Sequence, residues 1–224
     1  SSAASDVYKR QDMEHAKAMG YASGKNEAWY FLEAADDASI VFGHNAENEA
    51  DLRSYIDECR WDELLRHLKV RKDDFVYLEA GLLHACGKNV IAYEVQQSTD
   101  VTYRFYDYDR TDAAGNKREL QLEQAIDTLK YDDSLNTERY DAHVEMLGNC
   151  VRTTYMDSPS FRIEKIQVDD DSYVLKEDIY ELVSVVRGSG VVNGTPVAVG
   201  SHFLVPKDCQ VVISGNLTVM MTTA

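Results

Sequence analysis

Four polar side chains interrupt stretches that otherwise read as buried β-strand: His84, Glu94, Gln96 and Arg104. All four lie between Phe75 and Arg110, in the run FVYLEAGLLHACGKNVIAYEVQQSTDVTYRFYDYDR. Burying such groups without partners is costly, so they are expected to face one shared polar cavity. Imidazole and carboxylate are metal-ligand types, and a guanidinium presents a fork of donors suited to phosphate or an oxyanion. A β-barrel whose interior holds a metal and a small ligand fits this pattern. Upstream, Lys25 and Glu27 are two residues apart, a spacing that points both to the same side of a strand. Bland readings exist for each. A lone histidine is more often a core or surface residue, Glu27 alone reads as a solvated strand-start glutamate, and Glu94 with Arg104 reads equally well as an ion pair inside a barrel.

The elements that would position these residues are short. Phe75–Leu78, Val90–Val95 and Val101–Phe105 are apolar runs separated by turn residues, Glu79-Ala80-Gly81 and Cys86-Gly87-Lys88-Asn89. EAWYFLE (27–33) and Ser39–Gly43 read as two earlier strands. Between them and the central run, residues 47–68 change to helical periodicity. Leu52, Tyr55, Ile56 and Cys59 share one face, Leu64, Leu65 and Leu68 another, which predicts two helices with a bend near Trp61. Strands are expected to resume at Val70. Asp12–Met19 reads as a short capped helix and 119–130 as a partly helical stripe. The polar connection 131–140 is the candidate domain boundary. From Ala142 onward short β-branched runs alternate with Gly, Asn or Pro turns, as in a sandwich or barrel. The fold class is therefore mainly β: two barrels with a small helical insertion.

Composition narrows the function classes. The chain has 224 residues and a net charge of −16, with no basic stripe to meet a nucleic-acid backbone. No apolar run is long enough for a bilayer, and no signal-peptide pattern opens the chain. Cys59, Cys86, Cys150 and Cys209 are widely spaced and form no C-x-x-C pair, which reads as free thiols in a reducing cytosol.

The run AGLLHACGKNVIAYEVQQSTDVTYRFYDYDR closely resembles the signature segment of the type I mannose-6-phosphate isomerases, in the short form of Gram-positive bacteria. The departures in that run are small, such as Ser98-Thr99. GKNEAWY (24–30) resembles the same family's Gly-Lys-Thr-Glu-x-Trp-Tyr, and the likeness extends from about Asp12 to the C-terminus. The resemblance implies two cupin-type jelly-roll barrels and a zinc-dependent aldose–ketose isomerase, cytoplasmic and monomeric, acting on a small sugar phosphate with neither nucleic acid nor membrane as partner. It implies Glu27 and His84 as zinc ligands, Lys25, Glu94 and Arg104 as catalytic or cavity residues, and Lys25 and Arg104 as substrate contacts. One zinc per chain is expected. Two ligands of the family pattern, a Gln and a His, fall where Tyr8 and Arg10 stand, so half the ligand set is missing from this sequence. Residues 1–11, SSAASDVYKRQ, have no family likeness and read as a tag-like lead. The expected domains are then an N-terminally incomplete catalytic barrel over 12–130 with its helical insertion at 47–68, and a second barrel over 141–224. The alternative is a non-catalytic sugar-binding or regulatory cupin that has lost its metal. A metal-dependent oxygenase would want a His-x-His pair before the glutamate, and none is present.

Overall fold

The computed structural model describes residues 25–99, 102–131 and 142–223, with the backbone alone of 7–9. The expected helix at 12–19 and the lead at 1–6 and 10–11 lie outside the described residues. The chain is mainly β and divides into two compact units, residues 1–139 and 140–224.

The first unit holds two antiparallel sheets. One has strand order β4-β3-β6-β1-β8, built from Leu65–Lys69, Ser39–His44, His84–Ala85, Val7–Lys9 and Tyr103–Tyr106; the other is β5-β2-β7, from Phe75–Leu78, Glu27–Ala34 and Val90–Gln96. Alternation along β2 and β3 builds a core of Trp29, Phe31, Ile40, Phe42, Leu78 and Leu82. The opposite face of β3 contributes Val41 to a second core with Leu52, Leu64, Leu83, Phe105 and Ile126. This core takes in the helical insertion. Helix α1 (Glu49–Asp57) starts at Asn48, whose Oδ1 accepts from the Asp51 N–H at 3.0 Å. Arg53 ties α1 to α3 (Leu122–Asp127) through Glu123 at 2.8 Å.

The sequence periodicity predicts helix as far as Leu68, and here the structure differs. Helix α2 is only Trp61–Leu64, and the chain turns to strand at Leu65. Asn45 takes both of the last helical carbonyls: its Nδ2 donates to Glu63 O at 2.8 Å and its backbone N–H to Leu64 O at 2.9 Å. Residues 65–69 then pair with β3, with Ile40 opposite Leu68 and Val41 opposite His67. Ladder pairing overrides a leucine spacing that suits either element. The stripe at 119–130 is helical only over α3.

The second unit is one seven-stranded antiparallel sheet, β13-β12-β15-β11-β10-β9, with β14 also on β12. Its strands are β9 (His143–Leu147), β10 (Cys150–Asp157), β11 (Arg162–Leu175), β12 (Glu181–Val192), β13 (Thr195–Ala198), β14 (His202–Val205) and β15 (Val211–Thr223). Several are longer than the short apolar runs suggest. Bulges at Asp169/Asp171 on β11 and Val185/Arg187 on β12 let the long strands bend around a core of Ile166, Val168, Leu175, Val183, Ile213 and Val219. His202 opens β14 with its Nδ1 2.8 Å from Ser184 Oγ. In neither unit do the described strands close into a ring.

One end of this interior is ionic. Arg152 grips Glu164 with two bonds, of 3.0 and 2.8 Å, and reaches Glu177 at 3.4 Å. Arg162 contacts Glu181 closely, Glu177 at 3.4 Å and Glu164 at 3.7 Å, while Thr154 donates to Glu164 at 2.8 Å. Glu164 and Glu181 are buried. The four cysteines are free, and no described helix is long and apolar enough to cross a membrane.

Candidate metal and substrate site

Glu27 opens β2 and is fully buried, a placement that a solvated strand-start glutamate would not have. Alternation carries Glu27, Trp29 and Phe31 onto one face of the three-stranded sheet. Directly opposed residues of antiparallel strands share a face, so Gln96 and Glu94 of β7 stand beside Glu27 and Trp29. Lys25, two residues before Glu27, is buried as well.

His84 comes from the other sheet. The Glu79-Ala80-Gly81 turn delivers it, with Gly81 at φ +102°, in the left-handed region that favours glycine. Beyond it, Gly87 packs so tightly on β3 that an added Cβ would fall 1.6 Å from the Ser39 carbonyl oxygen. His84 is buried, and its Nε2 lies 3.3 Å from Glu27 Oε2. Fifty-seven positions in sequence thus collapse to a single contact between two side chains at the interface of the two sheets.

The protonation of the imidazole follows from its other nitrogen. Nδ1 is 2.9 Å from the Leu82 carbonyl oxygen, which can only accept, so Nδ1 carries the proton. In the neutral ring Nε2 is then a lone pair aimed at a carboxylate oxygen. Two such acceptors at 3.3 Å need a positive species between or beside them, a proton or a cation. A backbone carbonyl that fixes the Nδ1–H tautomer is the usual support of a metal-binding histidine. The Trp29 ring meets the imidazole edge-on at 5.7 Å and completes its packing. The pair therefore fits a divalent cation by donor type and by tautomer. Among the described residues no third His, Cys, Asp or Glu joins them into a cluster of three.

Arg104 is related to His84 through β1. Tyr8 is the backbone partner of His84 on one side and of Arg104 on the other, so the three form a row across the sheet. The Arg104 side chain consequently leaves the sheet on the His84 face. Its Nη1 donates to the Glu119 carbonyl at 3.1 Å, and its backbone exchanges hydrogen bonds with Gln121. The ion pair with Glu94 that the sequence allows is not formed. Glu94 instead accepts from the Trp29 indole N–H at 3.0 Å and is otherwise exposed. Arg10 and the side chain of Tyr8, on which the missing-ligand reading falls, lie outside the described residues.

Asn26 is a site residue that motif reading passes over, and its signal is positional: it directly precedes Glu27 at the start of β2. Arg110 and Arg118 both donate to the buried Asp107, Asp109 pairs with Lys117 at 2.5 Å, and Tyr106 stacks on Trp61 at 4.0 Å. His44 is buried with its Nε2 2.9 Å from the Lys130 carbonyl. Cys86 stands two residues after His84. Burial pushes its thiol pKa upward and the nearby Glu94 charge adds to the shift, which keeps it protonated.

No family model matches the chain. It is 37% identical over 187 residues to the mannose-6-phosphate isomerase ManA of Bacillus subtilis, a match covering 82% of this chain and 59% of that protein. The mannose-6-phosphate isomerase of Streptococcus mutans is 36% identical over 187 residues, covering 82% and 58%. The crystal structure of the Bacillus subtilis mannose 6-phosphate isomerase superposes with a TM-score of 0.90 at 28% identity, over 99% of this chain and 72% of that one. Over most of its own length the chain is similar to mannose-6-phosphate isomerases. It spans rather less than two thirds of the length of these curated relatives. Fold likeness reaches further among the mannose-6-phosphate isomerases: a putative mannosephosphate isomerase from Archaeoglobus fulgidus has a TM-score of 0.68 at 17% identity, which speaks for the fold alone.

Proposed function

We propose that this chain carries the metal-binding core of a zinc-dependent isomerase that interconverts mannose 6-phosphate and fructose 6-phosphate. The observation that carries the reading is the buried contact between His84 Nε2 and Glu27 Oε2 at 3.3 Å, with the imidazole tautomer set by the Leu82 carbonyl. Glu27 and His84 would hold the ion. A bound zinc supplies positive charge for oxygens that become anionic during the reaction. One zinc per chain, two cupin-type jelly rolls over 12–130 and 141–224, a monomeric state and a cytoplasmic setting complete the proposal.

The remaining chemistry falls to the side chains. Aldose–ketose isomerisation moves a proton between C1 and C2 through an enediol, with a matching transfer between the two oxygens. Glu94 is the exposed carboxylate on the Glu27 face, oriented by the Trp29 indole, and serves as the group that takes and returns the carbon-bound proton. Arg104, on the His84 face, offers a donor fork to the phosphate or to enediolate oxygen. Lys25 adds a second cation where charge develops beside Glu27.

The test is conversion of mannose 6-phosphate with added zinc by the unaltered chain, by a version whose first eleven residues are replaced by a segment carrying the family's Gln-x-His, and by the Glu27→Gln and His84→Gln variants of that version. With two of the family's four ligands missing, the unaltered chain is expected to turn over poorly, and the restored version to show zinc-dependent turnover that both substitutions abolish. Equal, high activity in both would show that Tyr8 and Arg10 do not mark a broken site. Sugar-phosphate binding without turnover in the restored version, unaffected by zinc, would overturn the reading in favour of a non-catalytic sugar-binding module.

A further inference from the structure

We infer that Asn26 is a positioning residue that holds Glu27 and His84 face to face. Three segments bring the site together: the start of β2, the turn before His84, and the end of β7 that carries Glu94 and Gln96. Asn26 bonds to all of them. It is the residue before Glu27. Its side-chain Oδ1 accepts from the Ala80 N–H at 2.9 Å, inside the turn that delivers His84. Its backbone N–H donates to Gln97 Oε1 at 3.0 Å, and its carbonyl accepts from Gln97 N–H at 3.0 Å. The Ala80 bond carries the β2–β5 pairing on into the turn that leads to the other sheet, and it spans 54 positions in sequence.

The chemistry of that bond explains why a side-chain acceptor stands here. Ala80 is buried, so its N–H has no access to solvent, and losing the acceptor leaves an unmet donor in the interior. The turn could recover the bond only by moving toward water. Leu82, whose carbonyl fixes the His84 tautomer, is two residues further along and makes its own turn bond to Glu79 O at 3.0 Å. Only Gly81 separates Ala80 from Leu82, so a shift of the turn reaches the imidazole through a segment of two residues. Substitution of Asn26 acts on the ligand pair through backbone geometry, without touching ion or substrate.

The inference rests on the metal reading for its consequence but not for its geometry, and the experiment separates the two. Histidine is labelled with nitrogen-15 in the metal-free chain, and the His84 resonances are assigned with His84→Gln. Zinc affinity and thermal midpoint are measured for the unaltered chain, Asn26→Ala and Asn26→Asp. Aspartate keeps the Oδ1 acceptor for Ala80, so it is the conservative rescue. The expected result is a protected His84 Nδ1–H resonance in the unaltered chain and in Asn26→Asp, lost in Asn26→Ala. Zinc binding should weaken about 10–100-fold in Asn26→Ala, as for residues that orient a ligand, and stay close to the unaltered value in Asn26→Asp. The inference is overturned if Asn26→Ala lowers the thermal midpoint yet keeps both resonance and zinc affinity, or if aspartate fails to rescue. If the unaltered chain binds no zinc, the metal reading fails, and the resonance in the three proteins still decides the positioning role.

Discussion

Replacing Arg162 by methionine is a quantitative test of how the second unit is held together. Arg162 is the cation beside Glu181, with a side chain 20% exposed against 1% for the glutamate. The surrounding set is Arg152, Arg162, Glu164, Glu177 and Glu181, two positive and three negative, a net −1. Removing Arg162 takes it to −2 and leaves Glu181 buried without its guanidinium. Breaking a buried pair from one side costs about 3–5 kcal/mol. Partial exposure of Arg162 and Glu177 places Arg162→Met at about 3 kcal/mol, the lower end of that range. Burial already raises the Glu181 pKa above the usual carboxylate range, with Arg162 opposing it, and the substitution removes the opposition. The folded form then binds a proton more tightly than the unfolded chain. The penalty is therefore largest above the folded pKa, shrinks as pH falls, and disappears below the unfolded value of about 4.3. Urea unfolding of the whole chain at pH 8 and pH 5 reads both effects. The double substitution Arg162→Met/Glu181→Gln removes the stranded charge and should recover most of the loss. A penalty under about 1 kcal/mol, the scale of a surface pair, or one that does not change with pH, would refute the reasoning.

Three further outcomes are expected. Glu27→Gln should weaken zinc binding by more than the 10–100-fold typical of a supporting residue, measured by competition with a chromophoric chelator. Gly87→Ala, whose new Cβ would meet the Ser39 carbonyl oxygen at 1.6 Å, should cost at least about 3 kcal/mol or prevent soluble expression, read by thermal unfolding. Trp29→Phe keeps a ring beside His84 but removes the donor to Glu94; stability should fall by about 1 kcal/mol, while turnover falls further than zinc affinity does.

Much of the first unit was legible because its strands obey period-2 alternation and its turns carry glycine. Glu27 and His84 were legible as a pair because their flanking motifs are dense. Their contact was not readable from spacing, since it depends on the packing of one sheet on the other. The switch to strand at Leu65 was hidden because Leu64, Leu65 and Leu68 serve a helix face and an edge strand equally well, and Asn45 decides between them from outside the segment. The Arg152–Arg162 ion cluster was invisible for a similar reason. Its members come from two hairpins and a loop, and the bulge at Thr154/Met156 resets the register that brings them together. Asn26 has no motif of its own, and its role appears only when Ala80 and Gln97 are seen to converge on it.

The measurement that bears most directly on the central claim is zinc K-edge absorption fine structure on the zinc-loaded chain, with His84→Gln alongside. The account predicts nitrogen and oxygen donors at about 2.0–2.2 Å, no sulfur, and imidazole scattering that His84→Gln loses. Sulfur at about 2.3 Å, or an imidazole signal that survives His84→Gln, would contradict it.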